Sequence, residues 1–327
     1  MRKIKWGVMG TAFIAEACTI PGMLEADNCE MYAIAGRNIE KAEQFKEKYG
    51  FRKAYGSYAE LLADPEVEAV YIPLPNTMHY EWTIQALKNG KHVLCEKPLA
   101  PTEAQEEEMF AAAEENHVYL MEAFAYQHSP YIAALSEEIS KGTIGDVRYI
   151  ESAFITSDYN KKNIRMRRET LGGCTYDLGV YCSSLILRLL SEEPTKIKAA
   201  AAFSEEKIDT LTSVVMEYAD GKKAAFSSGM ILATDLDRRI DRFEIQGTKG
   251  SIRGSGFRFN GDGELSYTVT TFDGEEETKK ISVPQNYRLE VEQLGRCVAG
   301  EETPAVTKEF SLANARIIDR ILKEIGY

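Results

Sequence analysis

Neither a cysteine pair nor a histidine cluster occurs in this chain of 327 residues, and both gaps restrict its chemistry. The six cysteines (Cys18, Cys29, Cys95, Cys174, Cys182 and Cys297) are scattered without Cys-x-x-Cys spacing, so they read as reduced thiols. The four histidines (His79, His92, His117 and His128) lack the spacing of metal ligands, and no structural or catalytic metal is expected. Positive charge is also short. With 39 Lys+Arg against 51 Asp+Glu the formal net charge is -12, which disfavours nucleic acid and acidic membrane surfaces as partners. No stretch stays apolar over the ~18 residues that a membrane span requires. The start resembles the charged and apolar parts of a signal peptide, but Gly7 and Gly10 interrupt it and no cleavage pattern follows. A cytoplasmic location is therefore expected.

The length suits two domains. Up to about residue 122 short β-rich runs (Ile4–Met9, Glu30–Ala35, Ala69–Ile72, His92–Cys95 and Val118–Glu122) alternate with amphipathic stretches (Ile39–Tyr49, His79–Asn89 and Thr102–Asn116). That alternation predicts a doubly wound parallel α/β sheet over residues 1–122. From residue 123 to 327 the pattern changes. A helix over Tyr131–Ser140, a long strand over Val147–Thr156, a charged loop over Asn160–Arg168 and a helix over Thr175–Leu190 lead into strands and turns up to Val283. Asp220-Gly221, Gly261-Asp262-Gly263 and Asp273-Gly274 punctuate this region, as expected for an α+β domain with a large, mostly antiparallel open sheet. Two closing helices, Tyr287–Ala299 and Leu312–Ile325, could pack back on the first domain.

The first strand runs into Gly7-Val8-Met9-Gly10-Thr11-Ala12-Phe13-Ile14-Ala15, in which Gly10, Ala12 and Ala15 occupy the three small positions of a dinucleotide fingerprint. Such a turn lets backbone N–H groups approach a pyrophosphate at a helix amino terminus. The second strand ends in Gly36-Arg37. An NAD site usually places Asp or Glu there for the ribose hydroxyl, whereas a cation favours the 2′-phosphate of NADP. After the third expected strand, Pro73-Leu74-Pro75-Asn76-Thr77 crosses the strand ends, with Thr77 as a helix cap and Asn76 as a ribose contact. Glu96-Lys97-Pro98 follows the apolar run His92–Cys95 and sets an ammonium at the carboxyl end of a strand, where open parallel sheets bind ligands.

A second cluster, Gly172-Gly173-Cys174-Thr175-Tyr176-Asp177-Leu178-Gly179-Val180-Tyr181, opens a helix. Its two glycines are read as letting a ligand approach the helix end. Asp177 and Tyr181 are four apart and share a helical face. Carboxylate, phenol and lysine make an acid/base set, because the cation favours phenolate and the carboxylate holds the lysine or the substrate hydroxyl. A buried hydrogen-bonded Asp/Tyr pair is the structural alternative. Tyr218 and Lys222 match a Tyr-x-x-x-Lys pattern whose chemistry needs both residues on one helix face, but the intervening Asp220-Gly221 reads as a hairpin turn.

The chain resembles the glucose–fructose oxidoreductase / inositol dehydrogenase family of NAD(P)-dependent oxidoreductases, and within it the dihydrodiol and xylose dehydrogenase branch. The resemblance rests on Gly7-x-x-Gly10-Thr11-Ala12-x-Ile14-Ala15, Pro75-Asn76-x-x-His79, Glu96-Lys97-Pro98, Glu122-Ala123-Phe124 and Gly142-x-Ile144-Gly145. It continues through Asn163-Ile164-Arg165, Gly172-Gly173-x-x-x-Asp177-x-Gly179-x-Tyr181 and Gly247-Thr248-x-Gly250. The resemblance implies a Rossmann domain followed by an α+β domain whose open sheet forms a homodimer or homotetramer interface. It implies a central catalytic Lys97, with NADP(H) or NAD(H) as cofactor and a small sugar, polyol or cyclic diol as substrate. Cofactor contacts are expected from Gly10, Thr11, Ala12, Phe13, Ile14, Gly36, Arg37, Pro73, Leu74, Asn76, His79, Glu96, Lys97 and Arg165. Substrate contacts are expected from His128, Arg165, Asp177 and Tyr181. Tyr181 is assigned as proton donor and acceptor, Lys97 as the group polarising the substrate oxygen and Asp177 as their positioning partner; the roles of Tyr181 and Lys97 are interchangeable on the sequence. Cys174 stands where relatives usually have glycine. A regulator that senses NADP or a sugar without turnover, and a glycosidase that uses NAD transiently, are the alternatives.

Overall fold

A computed structural model describes residues 2–157, 159–233, 239–257 and 263–327. Six strands, β1 (Ile4–Met9), β2 (Cys29–Ala35), β3 (Lys53–Tyr55), β4 (Ala69–Ile72), β5 (His92–Glu96) and β6 (Leu120–Ala123), form one sheet in the order β3-β2-β1-β4-β5-β6. Every neighbouring pair is parallel. The order reverses between β1 and β4, the switch point at which such sheets bind ligands. Ile4, Trp6, Val8 and Met9 of β1 and all four residues of β4 are fully buried, as central strands covered on both faces must be. Helix Ile39–Tyr49 forms where expected, because the Asn38 side chain accepts from Lys41 N and Gly50 closes the helix at φ 76°. Strand β3 and helix Tyr58–Ala63 are additions to the expected elements; three residues are too few for periodicity to register.

The second sheet contains β7 (Val147–Ser157), β8 (Lys196–Phe203), β9 (Asp209–Glu217), β10 (Lys223–Leu232), β11 (Ile240–Gly247), β12 (Gly250–Gly254), β13 (Gly263–Thr271) and β14 (Glu276–Val283). Its order is β14-β13-β12-β11-β7-β10-β9-β8, with β7 and β10 parallel and the other neighbours antiparallel. Along β9 Val214 and Met216 are buried while Val215 is half exposed, the alternation of a sheet with one covered face. Tyr218 N donates to Lys222 O at 3.1 Å around Gly221 (φ 89°), so the Tyr218/Lys222 pair does bracket a hairpin turn. In the expected turn at Gly261-Asp262-Gly263, the first two residues lie outside the described residues, and Gly263 opens β13.

The chain divides into two compact units. The first runs to His128 and takes in Pro284–Ser311; the second is built on the chain between Ser129 and Val283 and on Leu312–Tyr327. The division falls after His128 rather than after Glu122, because Ala125 of the 3-10 turn Ala125–His128 packs with Cys18 and Tyr287 in the first unit. Of the closing helices, Asn286–Val298 belongs to the first unit, while Lys308–Ile325 gives its first residues to the first and the remainder to the second.

Candidate active site

At the tip of β1 the backbone of Gly10 adopts φ 131°, in the region that favours glycine, and a Cβ there would come within 3.3 Å of Leu74 Cδ2. The chain then enters a helix whose Ala15–Thr19 stretch is a π turn, with Ile20 N bonded to Ala15 O just ahead of Pro21. Ala15 is buried, which explains the small third position, whereas Phe13 is 82% exposed beside the turn. The first N–H groups of such a helix have no intrahelical partner and suit a pyrophosphate. At the end of β2, Gly36 N is held by Tyr55 O, and the exposed Arg37 lies next to the Tyr58 hydroxyl. Burial raises the Tyr58 pKa, and the Arg37 charge opposes that rise. Lys41, a residue not singled out in the sequence, donates from Nζ to Thr11 O at 2.9 Å. Two cations therefore stand at the end of β2, one of them tied to the fingerprint turn.

Around Lys97 the structure is built from backbone clamps. Strand β5 ends at Glu96, and the Lys97-Pro98 peptide is cis. His79, fully buried, places Nδ1 2.8 Å from Pro98 O and Nε2 2.7 Å from Leu74 O, tying the two turns together. This leaves it no surface for the cofactor contact expected of it; it orients Leu74 and Pro98 instead. Burial holds its pKa down, while the two carbonyls act in the opposite direction. Thr77 is not a cap, since helix Asn76–Lys88 starts one residue earlier with Pro75 in the cap position and no side-chain bond. Glu96 Oε1 accepts from Tyr71 Oη at 2.6 Å, and Tyr71 in turn accepts from Thr19 Oγ1 at 2.9 Å. Glu290 lies fully buried nearby with neither carboxyl oxygen hydrogen-bonded among the described residues; burial, reinforced by the Glu96 charge, pushes its pKa well up.

Glu122 fixes the far side of the lysine turn. Its Oε1 accepts from Leu99 N at 3.1 Å and its Oε2 from Ser311 Oγ at 2.7 Å. Burial raises its pKa to about 7; those two hydrogen bonds and the Lys97 charge act to lower it, and Glu96 adds to the rise. An unfolded Glu titrates near ~4.3, so between that value and about 7 the folded protein holds the extra proton. Stability contributed by this group is full below the unfolded pKa and is lost as pH rises through the folded one. Glu122→Gln should flatten that decline, which has a slope on the order of 1.4 kcal/mol per pH between the two pKa values. Urea midpoints of both proteins at about pH 5 and about pH 8 check this; an unchanged difference between the two pH values in the variant refutes it.

In the second unit Asp177 Oδ2 accepts from Arg165 Nε at 2.8 Å, a pair nearly shielded on the carboxylate side. The Asp177 charge raises the Arg165 pKa against its burial. Asp177 was expected to position a lysine or a substrate hydroxyl, and Arg165 to reach the cofactor; here each engages the other. Tyr159 packs against Arg165 with its ring centroid 5.4 Å away, and its pKa is raised by burial and by Asp177. Tyr181 is half-buried, edge-on to Phe154 at 5.7 Å and tilted against Phe257 at 5.9 Å. Phe257 is locked by Asp241, which accepts from its N–H, and by Arg239, which donates to its carbonyl at 2.7 Å. The sequence did not single out Tyr159, Phe154, Phe257 or Arg239; the contacts of Phe154 and Phe257 with Tyr181, and of Arg239 with Phe257, join residues remote in sequence. His128, read as a substrate contact within the second domain, belongs to the first unit.

The two glycines serve the protein rather than a ligand. A Cβ on Gly172 would lie 2.3 Å from Arg165 O, and one on Gly173 2.1 Å from Asp209 Oδ1. Gly173 N donates to Arg165 O at 2.8 Å and Gly172 N to Arg167 O at 2.9 Å, so the glycines press the Arg165 loop onto the helix start. Cys174 is fully buried, with Sγ 3.0 Å from Asp209 Oδ2, and its place in the sequence adds no bulk to an open surface. Among the described residues no group of three or more His, Cys, Asp or Glu could hold a metal ion, and no helix is long and apolar enough to cross a membrane.

Residues 4–124 match an oxidoreductase family with an NAD-binding Rossmann fold, and residues 132–253 match the GFO/IDH/MocA C-terminal domain. The chain is 31% identical to trans-1,2-dihydrobenzene-1,2-diol dehydrogenase of Xenopus laevis, over 98% of each chain. It is 34% identical to D-xylose 1-dehydrogenase (NADP(+)) 2 of Haloferax volcanii, over 97% of this chain and 95% of that one. Among solved structures, a 3-ketoreductase from Actinomadura kijaniata in complex with NADP and TDP-benzene superposes with a TM-score of 0.92 at 27% identity, over 99% and 98% of the two chains.

Proposed function

Because the chain belongs to the GFO/IDH/MocA family of NAD(P)-dependent oxidoreductases, we propose that it moves a hydride between NADP(H) and a secondary hydroxyl or carbonyl of a small sugar, polyol or cyclic diol. The observation that carries this reading is Lys97, held at the carboxyl end of β5 by His79 on one side of its turn and Glu122 on the other. Bound cofactor supplies the hydride donor or acceptor at the nicotinamide ring. Lys97 polarises the substrate oxygen, Tyr181 exchanges its proton, and the Asp177–Arg165 pair fixes the helix face from which Tyr181 projects. The first unit is the cofactor domain and the second the substrate domain.

The phosphate preference rests on Arg37 and Lys41, which supply two cations after β2 where an NAD site would offer a carboxylate. A charge-assisted pair of ~1.5–3 kcal/mol makes NADPH at least about tenfold tighter than NADH. Arg37→Ala should narrow that gap, and Lys41→Ala should narrow it further. Dissociation constants from cofactor fluorescence decide the matter, and equal values for NADPH and NADH overturn it.

Substrate class is tested by following NADPH absorbance across aldoses, ketosugars, dicarbonyls and dihydrodiols. Net cofactor turnover with a sugar or diol supports the reading. Binding without turnover points to a sensor, and bond cleavage without net change in cofactor redox state points to a glycosidase. The names of the relatives, one acting on a dihydrodiol and one on xylose, favour the first outcome. The half-exposed Val215, Phe203 and Ile231 on the second sheet suit a homodimer or homotetramer interface, and six thiols without a disulfide suit a cytoplasmic setting.

A further inference from the structure

We infer that Asp209 is a positioning residue for proton transfer, acting through the helix that carries Asp177 and Tyr181; the inference rests on the catalytic reading of Tyr181 given above. Asp209 opens β9, which pairs with β8 through a register shift at Ala202/Phe203, and such irregularities re-aim side chains. Its carboxylate is fully buried. Oδ2 accepts from Thr175 N at 2.8 Å, Thr175 Oγ1 at 2.6 Å, Thr212 Oγ1 at 2.9 Å and the Cys174 thiol at 3.0 Å. Oδ1 has no hydrogen-bond partner among the described residues and faces Gly173 at a distance that no side chain there could share.

The helix itself needs this contact. Its own cap position is Cys174, which supplies no capping bond, so the first free N–H is satisfied by a carboxylate from a strand far along the chain. An anion at a helix amino terminus also complements the dipole. The residue so fixed, Thr175, starts the π turn Thr175–Gly179, closed by Val180 N to Thr175 O, and Asp177 lies inside that turn. A π turn is a local departure from regular helix and is frequent at functional sites. Asp209 thus pins the first residue of the irregular turn from which Asp177 reaches Arg165 and after which Tyr181 follows. Gly173 and Cys174 are the residues whose small or thiol side chains let the carboxylate come so close. Relaxing this pin would shift Asp177 and Tyr181 against the substrate, and displacements near 1 Å at a reacting centre are costly in rate.

A purely structural cap would lower stability and leave turnover alone, so the test is a double-mutant cycle with two readouts. Asp209→Ala and Asp209→Asn are made in the wild type and in Tyr181→Phe, with kcat and NADPH affinity measured well below each variant's melting temperature. Asp209→Ala should lower kcat about tenfold or more in the wild type, with NADPH affinity within about twofold, yet change kcat less than about twofold when Tyr181 is already Phe. Asp209→Asn keeps an acceptor for Thr175 and should recover most of the loss; should the alanine variant not fold, the asparagine variant carries the cycle, with a smaller loss that again vanishes in Tyr181→Phe. A fall in melting temperature with unchanged kcat, or an equal fall in kcat in both backgrounds, overturns the inference. Wild-type turnover by Tyr181→Phe alone is a distinct result, and it overturns the catalytic reading on which the inference stands.

Discussion

Replacing Lys97 by methionine lowers kcat by about two orders of magnitude or more, because a developing oxyanion loses its cation, while NADPH affinity stays near the wild-type value. The second half of this expectation follows from how the turn is held. His79 grips the Pro98 carbonyl and Glu122 grips the Leu99 N–H, so the backbone path does not depend on the lysine side chain. Methionine also keeps the unbranched stem. Steady-state kinetics with the best substrate of the screen, alongside cofactor titration, separates binding from chemistry. A variant that turns over at the wild-type rate would reduce Lys97 to a structural residue.

Tyr181→Phe comes next in size, with an expected loss of about 10²–10⁴ in kcat for a general acid of this kind. The ring's contacts with Phe154 and Phe257 survive the change, so the variant should fold and bind cofactor normally. Asp177→Asn should harm activity comparably by a different route: Arg165 loses its ionic partner, and a negative charge leaves the neighbourhood of the phenol. Both consequences favour phenolate, so the limb of the kcat/KM profile that belongs to Tyr181 should move to lower pH. If Tyr181→Phe keeps full activity and an unaltered profile, the proton comes from elsewhere, and Lys97 is the next candidate.

Much of the architecture was legible because it is written in local patterns. Alternating β-rich and amphipathic segments placed five of the first sheet's six strands and the lysine at the end of one, and a Gly-rich turn followed by Arg37 marked the nucleotide end. What could not be read were contacts between residues remote in sequence. Gly172 and Gly173 plainly required a close neighbour, but the sequence could not say that it would be Arg165 O and Asp209 Oδ1 rather than a ligand. The same holds for His79, which looked like a cofactor contact within its motif and proved to be a buried clamp between two turns. Cys174, the departure from the usual glycine, gained its meaning only when Asp209 was found against its sulfur.

All six thiols are buried. Burial drives the pKa of Cys29 and Cys182 up to about 12 and that of Cys297 up to about 11, and it holds those of Cys95 and Cys174 well above the ordinary thiol value. Alkylating reagents attack the thiolate, so these sulfurs are silent while the fold is closed. They are also distributed through both units, from β5 to the floor of the Asp177 helix, so the order in which they become labelled is a chronology of which layer opens first. The native chain thus carries its own set of opening reporters, and a single cysteine added on the surface can be tagged without removing any of them.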